Sequence, residues 1–296
     1  MRLNEIRRKT LHAAILALTS TSLIGCISSS GSSGGLIDNT NEAYSGFGVG
    51  LDADVEVDQE IVAHNTSVQT SEGDMHIVKY ANGAYASYRS KEEQVNFSGD
   101  DCDDATAACD KAVYPYKDRL VHGGGGEYEY MRYASWNRKY YEDRLLKRER
   151  WISGISGQRT ATMPNTGTAT YTGYFGMAVT KAGDETSASI PLDGSMTLTA
   201  DFGRETFSAE MQADGYAPGR GSSSVRINAN GNLQGSYFET TNVNGSFRAG
   251  SEESSITQGK VRGAFFGPNA EEVGATVTMG TSDGFKGAGF LAGKKQ

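Results

Sequence analysis

The chain has 296 residues, of which 37% are hydrophobic, with 38 Gly, 5 Pro and 3 Cys. This composition excludes a collagen-like chain and a Pro-rich disordered chain, and it is typical of many short strands joined by tight turns. The formal net charge is −8, and the first 25 residues contribute +3, so the remaining chain carries −11. Such an acidic surface argues against nucleic acid and anionic bilayers as main partners, while a basic protein partner is permitted.

Residues 1–25 are predicted to be a secretory signal. Basic residues 7–9 precede an apolar stretch, residues 11–23, that is too short to span a bilayer. The stretch ends in Leu-Ile-Gly-Cys26, which resembles the lipobox of bacterial lipoproteins. That resemblance implies cleavage before Cys26 and lipidation of its thiol, which would anchor the mature N terminus in a membrane. The alternatives are an ordinary signal peptide with a chance cysteine and an uncleaved anchor. No Asp follows Cys26 to indicate inner-membrane retention, so the outer membrane is predicted.

Lipidation of Cys26 leaves two cysteines, Cys102 and Cys109, in an oxidising compartment. A disulfide between them is predicted, and closing this short loop would stabilise the fold by roughly 2.5 kcal/mol. The alternative is a metal site, because residues 100–104 and 110 include five Asp. The loop lacks the alternating ligands and the central glycine of an EF-hand, so no calcium loop of that type is expected.

The chain between the signal and the C-terminal half is predicted to begin with a flexible tether, residues 26–45, rich in Ser and Gly. Asn82-Gly83 separates two strand-like segments and indicates a hairpin. The run of four glycines after His122 indicates a mobile loop. The highly charged segment 138–150 is compatible with a short helix or with a solvated loop between strands. Its basic residues 144–150 are compatible with a docking patch or a solvated face.

The C-terminal half reads as a series of short strands without intervening helices. Apolar residues alternate with polar ones over 206–211 and again over 275–279, which predicts one apolar and one wet face. Asn230-Gly231 indicates another two-residue hairpin turn. About eight such strands predict an all-β fold with a closed antiparallel barrel, because closure removes exposed sheet edges.

Two motifs in this half point to a known family. The first is Gly157-Gln-Arg-Thr160, which leads into residues 163–173, and the second is residues 263–274, followed by residues 289–295. Together they resemble the barrel domain of the transferrin-binding protein B family. The resemblance implies a single lobe with a small β-rich handle domain, residues 46–156, and an eight-stranded barrel domain, residues 157–296. Within the second motif, Gly267-Pro268 is predicted to form a turn. Glu271 and Glu272 are expected to accept hydrogen bonds from backbone N–H groups at that turn.

The family resemblance also implies a function. It implies a Gram-negative outer-membrane lipoprotein, displayed outward by a surface lipoprotein assembly modulator, that binds a host ligand such as transferrin or haemoglobin, or haem, for iron acquisition. His122, Tyr128 and Tyr130 are the candidate ligand-binding residues, because His and Tyr can hold haem iron. The plainer interpretation is that such a His is simply exposed to solvent. A haem carrier and an immune-evasion or adhesion coat protein are the alternative functions. No nucleophile elbow, zinc-binding His pair or nucleotide fingerprint is present, so no enzymatic activity is predicted.

Overall fold

The computed structural model describes residues 46–57, 63–80, 83–90, 94–98, 109–113, 116–124, 128–142, 145–183, 189–217 and 219–296. The regular elements in these ranges are all β-strands, which confirms the predicted all-β class. Over the described ranges, no helix is long and apolar enough to cross a membrane. The described residues belong to one compact unit.

The N-terminal half forms an open antiparallel sheet of eight strands. Its strands are β1 (Gly46–Val57), β2 (Ala63–Tyr80), β3 (Gly83–Ser90), β4 (Gln94–Ser98), β5 (Cys109–Val113), β6 (Tyr116–Gly124), β7 (Met131–Glu142) and β8 (Leu145–Gly157). The spatial order is β4-β3-β2-β1-β8-β7-β6-β5, so β1 and β8 are central. We call this element the handle sheet.

The predicted hairpin is confirmed, because β2 and β3 pair, but Gly83 is not a turn residue: it begins β3 opposite Tyr80, and Asn82 lies outside the described residues. The predicted loop after His122 is wrong as far as Gly124, since these residues continue β6 and pair with β7. Glycine permits a loop but does not impose one, and here the neighbouring strand takes up the backbone hydrogen bonds.

The charged segment 138–150 is neither a helix nor a loop over the residues that are described. It forms the facing ends of β7 and β8, where Arg138 lies opposite Arg150. Asp52 on the adjacent strand β1 pairs in register with Arg150 and forms ion pairs with both Arg150 and Arg148. A carboxylate contributed from another strand therefore offsets the local repulsion, which the sequence of this segment alone does not show.

The C-terminal half forms a closed barrel. Its strands are β9 (Thr168–Lys181), β10 (Ile190–Asp201), β11 (Thr206–Ala217), β12 (Gly221–Gln234), β13 (Tyr237–Thr240), β14 (Val243–Ala249), β15 (Glu252–Phe266), β16 (Glu272–Thr281) and β17 (Phe285–Lys295). Eight of them pair in sequence order and β17 returns to β9, while the short β13 pairs with the end of β12 and with β15. The predicted eight-stranded antiparallel barrel is confirmed.

The predicted turn at Asn230-Gly231 is wrong. Both residues lie inside β12, at the point where this strand exchanges its partner β14 for β13. A side chain at Gly231 would approach the Phe207 ring and the Thr240 side chain to about 3 Å. Gly231 therefore serves close packing, and the chain turns instead at Gly235, where φ is 61°.

The core has two parts. The barrel interior is filled by alternate residues of all its strands, and the Phe238 ring contacts both Phe207 and Phe265. The second part lies outside the barrel, where the handle sheet covers the outer face of β9, β16 and β17. There, residues such as Phe47, Leu51 and Ile155 bury Ala178, Ala288, Phe290 and Ala292.

Candidate functional site

The two ends of the boundary between handle sheet and barrel define the geometry of the site. We call one end the junction end; it contains residues 128–131, 157–160 and 264–274. We call the other the hairpin end; it contains the described residues where β7 ends and β8 begins, where β9 ends and β10 begins, and where β11 ends and β12 begins. β8 runs from the hairpin end to the junction end, since Glu149 contacts Ser189 just before β10 while Gln158 contacts the β15–β16 turn.

Glu272 anchors the junction end. Its side chain is 2% exposed, and its carboxylate accepts hydrogen bonds from the backbone N–H groups of Glu129, Tyr130 and Met131 at 2.6, 3.0 and 3.0 Å. Three donors on one buried carboxylate offset much of the cost of removing its charge from water. Burial lowers the pKa of Arg132. The nearby Glu272 charge raises this pKa but offsets only part of the effect of burial.

The turn between β15 and β16 accounts for the second sequence motif. Gly267 has φ 85°, and a side chain there would collide with the Glu271 carboxylate and with the Tyr130 ring. Ala270 also has a positive φ of 56°, and its carbonyl oxygen accepts the Tyr171 hydroxyl at 2.7 Å. Glu271 accepts hydrogen bonds from the backbone and side chain of Asn269, as expected from the sequence. Glu272, by contrast, satisfies donors of the handle region rather than of its own turn.

The first motif joins the same turn from the other side. The backbone of Gln158 donates its N–H to the Tyr130 carbonyl oxygen and accepts the N–H of Gly267. Thr160 donates its backbone N–H to the Phe265 carbonyl oxygen and its hydroxyl to the Gly267 carbonyl oxygen. The two motifs and residues 128–131 therefore form one hydrogen-bonded junction between the sheets. The family resemblance singled out each motif in the sequence, and the tertiary structure shows that the two motifs meet.

The candidate ligand residues Tyr128 and Tyr130 lie in this junction. Tyr128 is buried, donates its hydroxyl to the Ala292 carbonyl oxygen at 3.0 Å and makes an edge contact with Tyr133. Tyr130 is half-buried against Gly267, and desolvation, with the Glu129 charge second, raises its pKa. Tyr133 in turn stacks on Phe290 at 4.8 Å. Their ligand-binding role stays a prediction.

The other candidate residues fall wholly or partly outside the described parts. His122 lies in β6 with its backbone opposite Ser135, and nothing is described of its side chain. Cys109 begins β5, whereas Cys26 and Cys102 lie outside the described residues. The Asp-rich loop before Cys109 also lies outside them. Within the ranges that are described, no group of three or more His, Cys, Asp or Glu could hold a metal ion.

Glu149 anchors the hairpin end. This β8 side chain is 3% exposed and accepts hydrogen bonds from the backbone and hydroxyl of Ser189, at 3.2 and 3.0 Å, and from the Asn137 amide at 2.9 Å. The Lys139 ammonium lies 3.6 Å from the same carboxylate. A handle glutamate thus binds the barrel here, as a barrel glutamate binds the handle region at the junction end.

Two large hydrophobic side chains are exposed at the hairpin end. Leu145, at the tip of β8, is 41% exposed, and Tyr216, near the end of β11, is 66% exposed. Sequence reasoning missed both. A signal for Tyr216 was present, because Phe207, Ala209 and Met211 point inward and an even-numbered residue of the same strand must point outward. Among the described residues, Tyr237 is the other exposed large hydrophobic, and it contacts Phe47 and Arg159.

Residues 163–295 match the family model described as the C-lobe and N-lobe beta barrels of Tf-binding protein B. The resemblance predicted from the sequence motifs is therefore confirmed for the barrel, which matches the beta barrels of the transferrin-binding protein B lobes. Curated protein sequences give no match to this chain.

Three solved structures illustrate the likeness. A double mutant of the vaccine antigen Transferrin Binding Protein B from Haemophilus parasuis Hp5 is 15% identical over 84% of this chain and 45% of that chain, with a TM-score of 0.42. A protein described as a surface lipoprotein is 11% identical over 86% and 100%, with a TM-score of 0.41. Isotype 1 transferrin binding protein B from serogroup B Neisseria meningitidis is 10% identical over 85% and 63%, with a TM-score of 0.37. The chain spans less than half of the Haemophilus parasuis protein.

Proposed function

We propose that this chain is an outer-membrane surface lipoprotein whose lobe binds a host-derived protein for iron or haem acquisition. The match of residues 163–295 to the barrel of Tf-binding protein B carries the proposal. The name of that family makes transferrin the first ligand to test, followed by haemoglobin. A binding role also agrees with a sequence that contains no catalytic motif.

We place the docking patch at the hairpin end and define it as Leu145 and Tyr216, the two large hydrophobic side chains that are exposed there. Tyrosine is among the residue types that dominate binding energy at protein interfaces, and an exposed leucine adds apolar contact area. Complete burial of such a side chain contributes about 1.5–3 kcal/mol. Two anchors on separate elements, one from the handle sheet and one from the barrel, would give the patch both affinity and a defined geometry.

The membrane anchor is the second part of the proposal. Lipidation of Cys26 and outward display by a surface lipoprotein assembly modulator would place the lobe outside the cell. A Ser/Gly-rich tether of the predicted length, residues 26–45, would let the lobe move about 25 Å from its anchor. The disulfide between Cys102 and Cys109 stays a prediction and would tie the chain to the start of β5.

The test uses intact cells that carry the full-length chain, incubated with labelled transferrin or haemoglobin, with protease shaving to establish display. Leu145→Ala with Tyr216→Ala is expected to lower binding at least tenfold, because each truncation removes an anchor. Tyr237→Ala, an exposed tyrosine at the junction end, is the matched control and should bind like the unaltered chain.

Equal binding by the double variant and the unaltered chain would contradict the docking patch. No binding of either protein, together with a Soret band on adding haem to the purified chain, would instead favour the haem-carrier alternative. Failure to bind any of the three probes would leave the coat-protein alternative and overturn the proposal.

A further inference from the structure

The docking patch combines side chains from two separate sheets, so its geometry depends on what joins the sheets nearby. Leu145 precedes Glu149 by four residues on β8, a distance of about 13 Å along a strand. On the barrel side, Ser189 directly precedes β10, whose Leu192 lies opposite Gly215, the residue before Tyr216. The contact between Glu149 and Ser189 therefore links β8, the strand that carries Leu145, to the start of β10, which pairs with the strand that carries Tyr216.

The chemistry of this contact requires a carboxylate. Every described polar group that faces the Glu149 side chain is a donor: the N–H and hydroxyl of Ser189, the Asn137 amide and the Lys139 ammonium. A carboxylate offers only acceptors and matches all of them, whereas an amide at this position would turn an NH₂ group towards donors. Because the site is 3% exposed, water cannot readily replace a lost hydrogen bond.

We infer that Glu149 is a positioning residue that fixes the barrel half of the docking patch relative to the handle half. The inference rests on the proposed docking function. Glu149 itself is not proposed to contact the ligand, because its side chain is only 3% exposed. It acts through Ser189, which sets where β10 begins and hence where the neighbouring end of β11 presents Tyr216.

Glu272 provides a matched control within the same molecule. It is also a buried glutamate that joins the handle region to the barrel through backbone donors, but it does so at the junction end. A substitution there weakens the same union of sheets without touching the hairpin end. The two residues therefore separate a local positioning effect from a general loss of stability.

The experiment measures the distance distribution between spin labels at positions 147 and 214, attached through a genetically encoded keto amino acid so that the cysteines stay unaltered. The lipidated full-length chain is compared with its Glu149→Gln and Glu272→Gln variants. Glu149→Gln is expected to broaden or shift the distribution, whereas Glu272→Gln should leave it unchanged. Ser189→Ala, which removes only the hydroxyl donor, should give a smaller change and covers the case in which Glu149→Gln fails to fold.

Labelled transferrin provides the second readout. Glu149→Gln should weaken binding roughly tenfold by disordering the patch, and Glu149→Asp should recover part of the loss. An unchanged distance distribution in both the Glu149→Gln and Ser189→Ala variants would overturn the inference. Because this distance measurement needs no ligand, it judges the positioning role even if the anchor substitutions show that the docking function is wrong.

Discussion

Strands β11 and β17 belong to the same barrel but differ in how their outer faces are used. In β11, buried Phe207, Ala209 and Met211 alternate with exposed residues that face water. In β17, seven consecutive residues from Gly287 to Gly293 are buried, because the handle sheet covers their outer face. The inner faces of both strands are buried in the barrel, so the difference between their burial patterns comes from the handle sheet that covers the outer face of β17.

The covered strands consequently carry small residues where the open strands carry polar ones. Gly274 on β16 and Ala288 and Ala292 on β17 leave room for the side chains of the handle sheet. One polar group on the covered face is satisfied locally, because the Thr276 hydroxyl donates to the Arg262 carbonyl oxygen. Period-two alternation thus reports exposure only where nothing covers the second face.

The largest expected difference is in the free energy of unfolding that is lost when a glutamate is replaced at the covered junction or on the open face. Glu272→Gln should lower the free energy of unfolding by about 3 kcal/mol, because an amide cannot accept all three N–H groups from residues 129–131. Glu210→Gln, on the open face of β11, should change it by less than about 0.5 kcal/mol. Urea titration of both variants measures the two effects, and equal small effects would mean that the junction contributes little to stability.

A smaller difference in stability is expected when a larger side chain is introduced on the covered face or on the open face. Gly274→Val places a Cβ 2.8 Å from the Ile155 side chain and 3.1 Å from the Met131 sulfur, so the two sheets must separate. The expected loss is about 2 kcal/mol. Ser208→Val, exposed on β11, should be nearly neutral. Thermal unfolding compares the pair, and tolerance of valine at both positions would show that the covered face is not closely packed.

The smallest expected difference in stability follows from removing the hydroxyl of a buried or of an exposed tyrosine. Tyr128→Phe removes the hydrogen bond to Ala292 and should lower the free energy of unfolding by about 1 kcal/mol, whereas Tyr216→Phe should have no measurable effect on stability. The same Tyr128→Phe protein tests the haem prediction. If haem gives the same Soret band with the unaltered chain and with the Tyr128→Phe variant, Tyr128 is not a ligand of the iron.

Sequence reasoning predicted the barrel strands and the inward residues of β11, because local alternation reflects a face that is either buried or wet. It was wrong about the wet face of β16, since Thr276 is buried by a sheet formed more than 100 residues earlier in the chain. It was also wrong about Asn230-Gly231 and the 138–150 segment. In each case a distant strand supplied hydrogen bonds, close packing or opposite charge that the local residues do not encode.

The candidate site shows the same division. The motifs around residues 157–160 and 263–274 could be found along the chain, and the carboxylates of Glu271 and Glu272 could be expected to satisfy backbone donors. Their meeting with residues 128–131 could not be found, because hydrogen bonds between segments about 140 residues apart leave no periodic trace.

By itself, the sequence determined the all-β class, the alternating wall of the barrel and the motifs that identify its type, since each depends on neighbours along the chain. The tertiary structure alone decided which barrel face is covered, which glutamates join the two sheets and that Leu145 and Tyr216 are exposed at one end. These features depend on which surfaces meet, and burial is a property of two surfaces rather than of one segment.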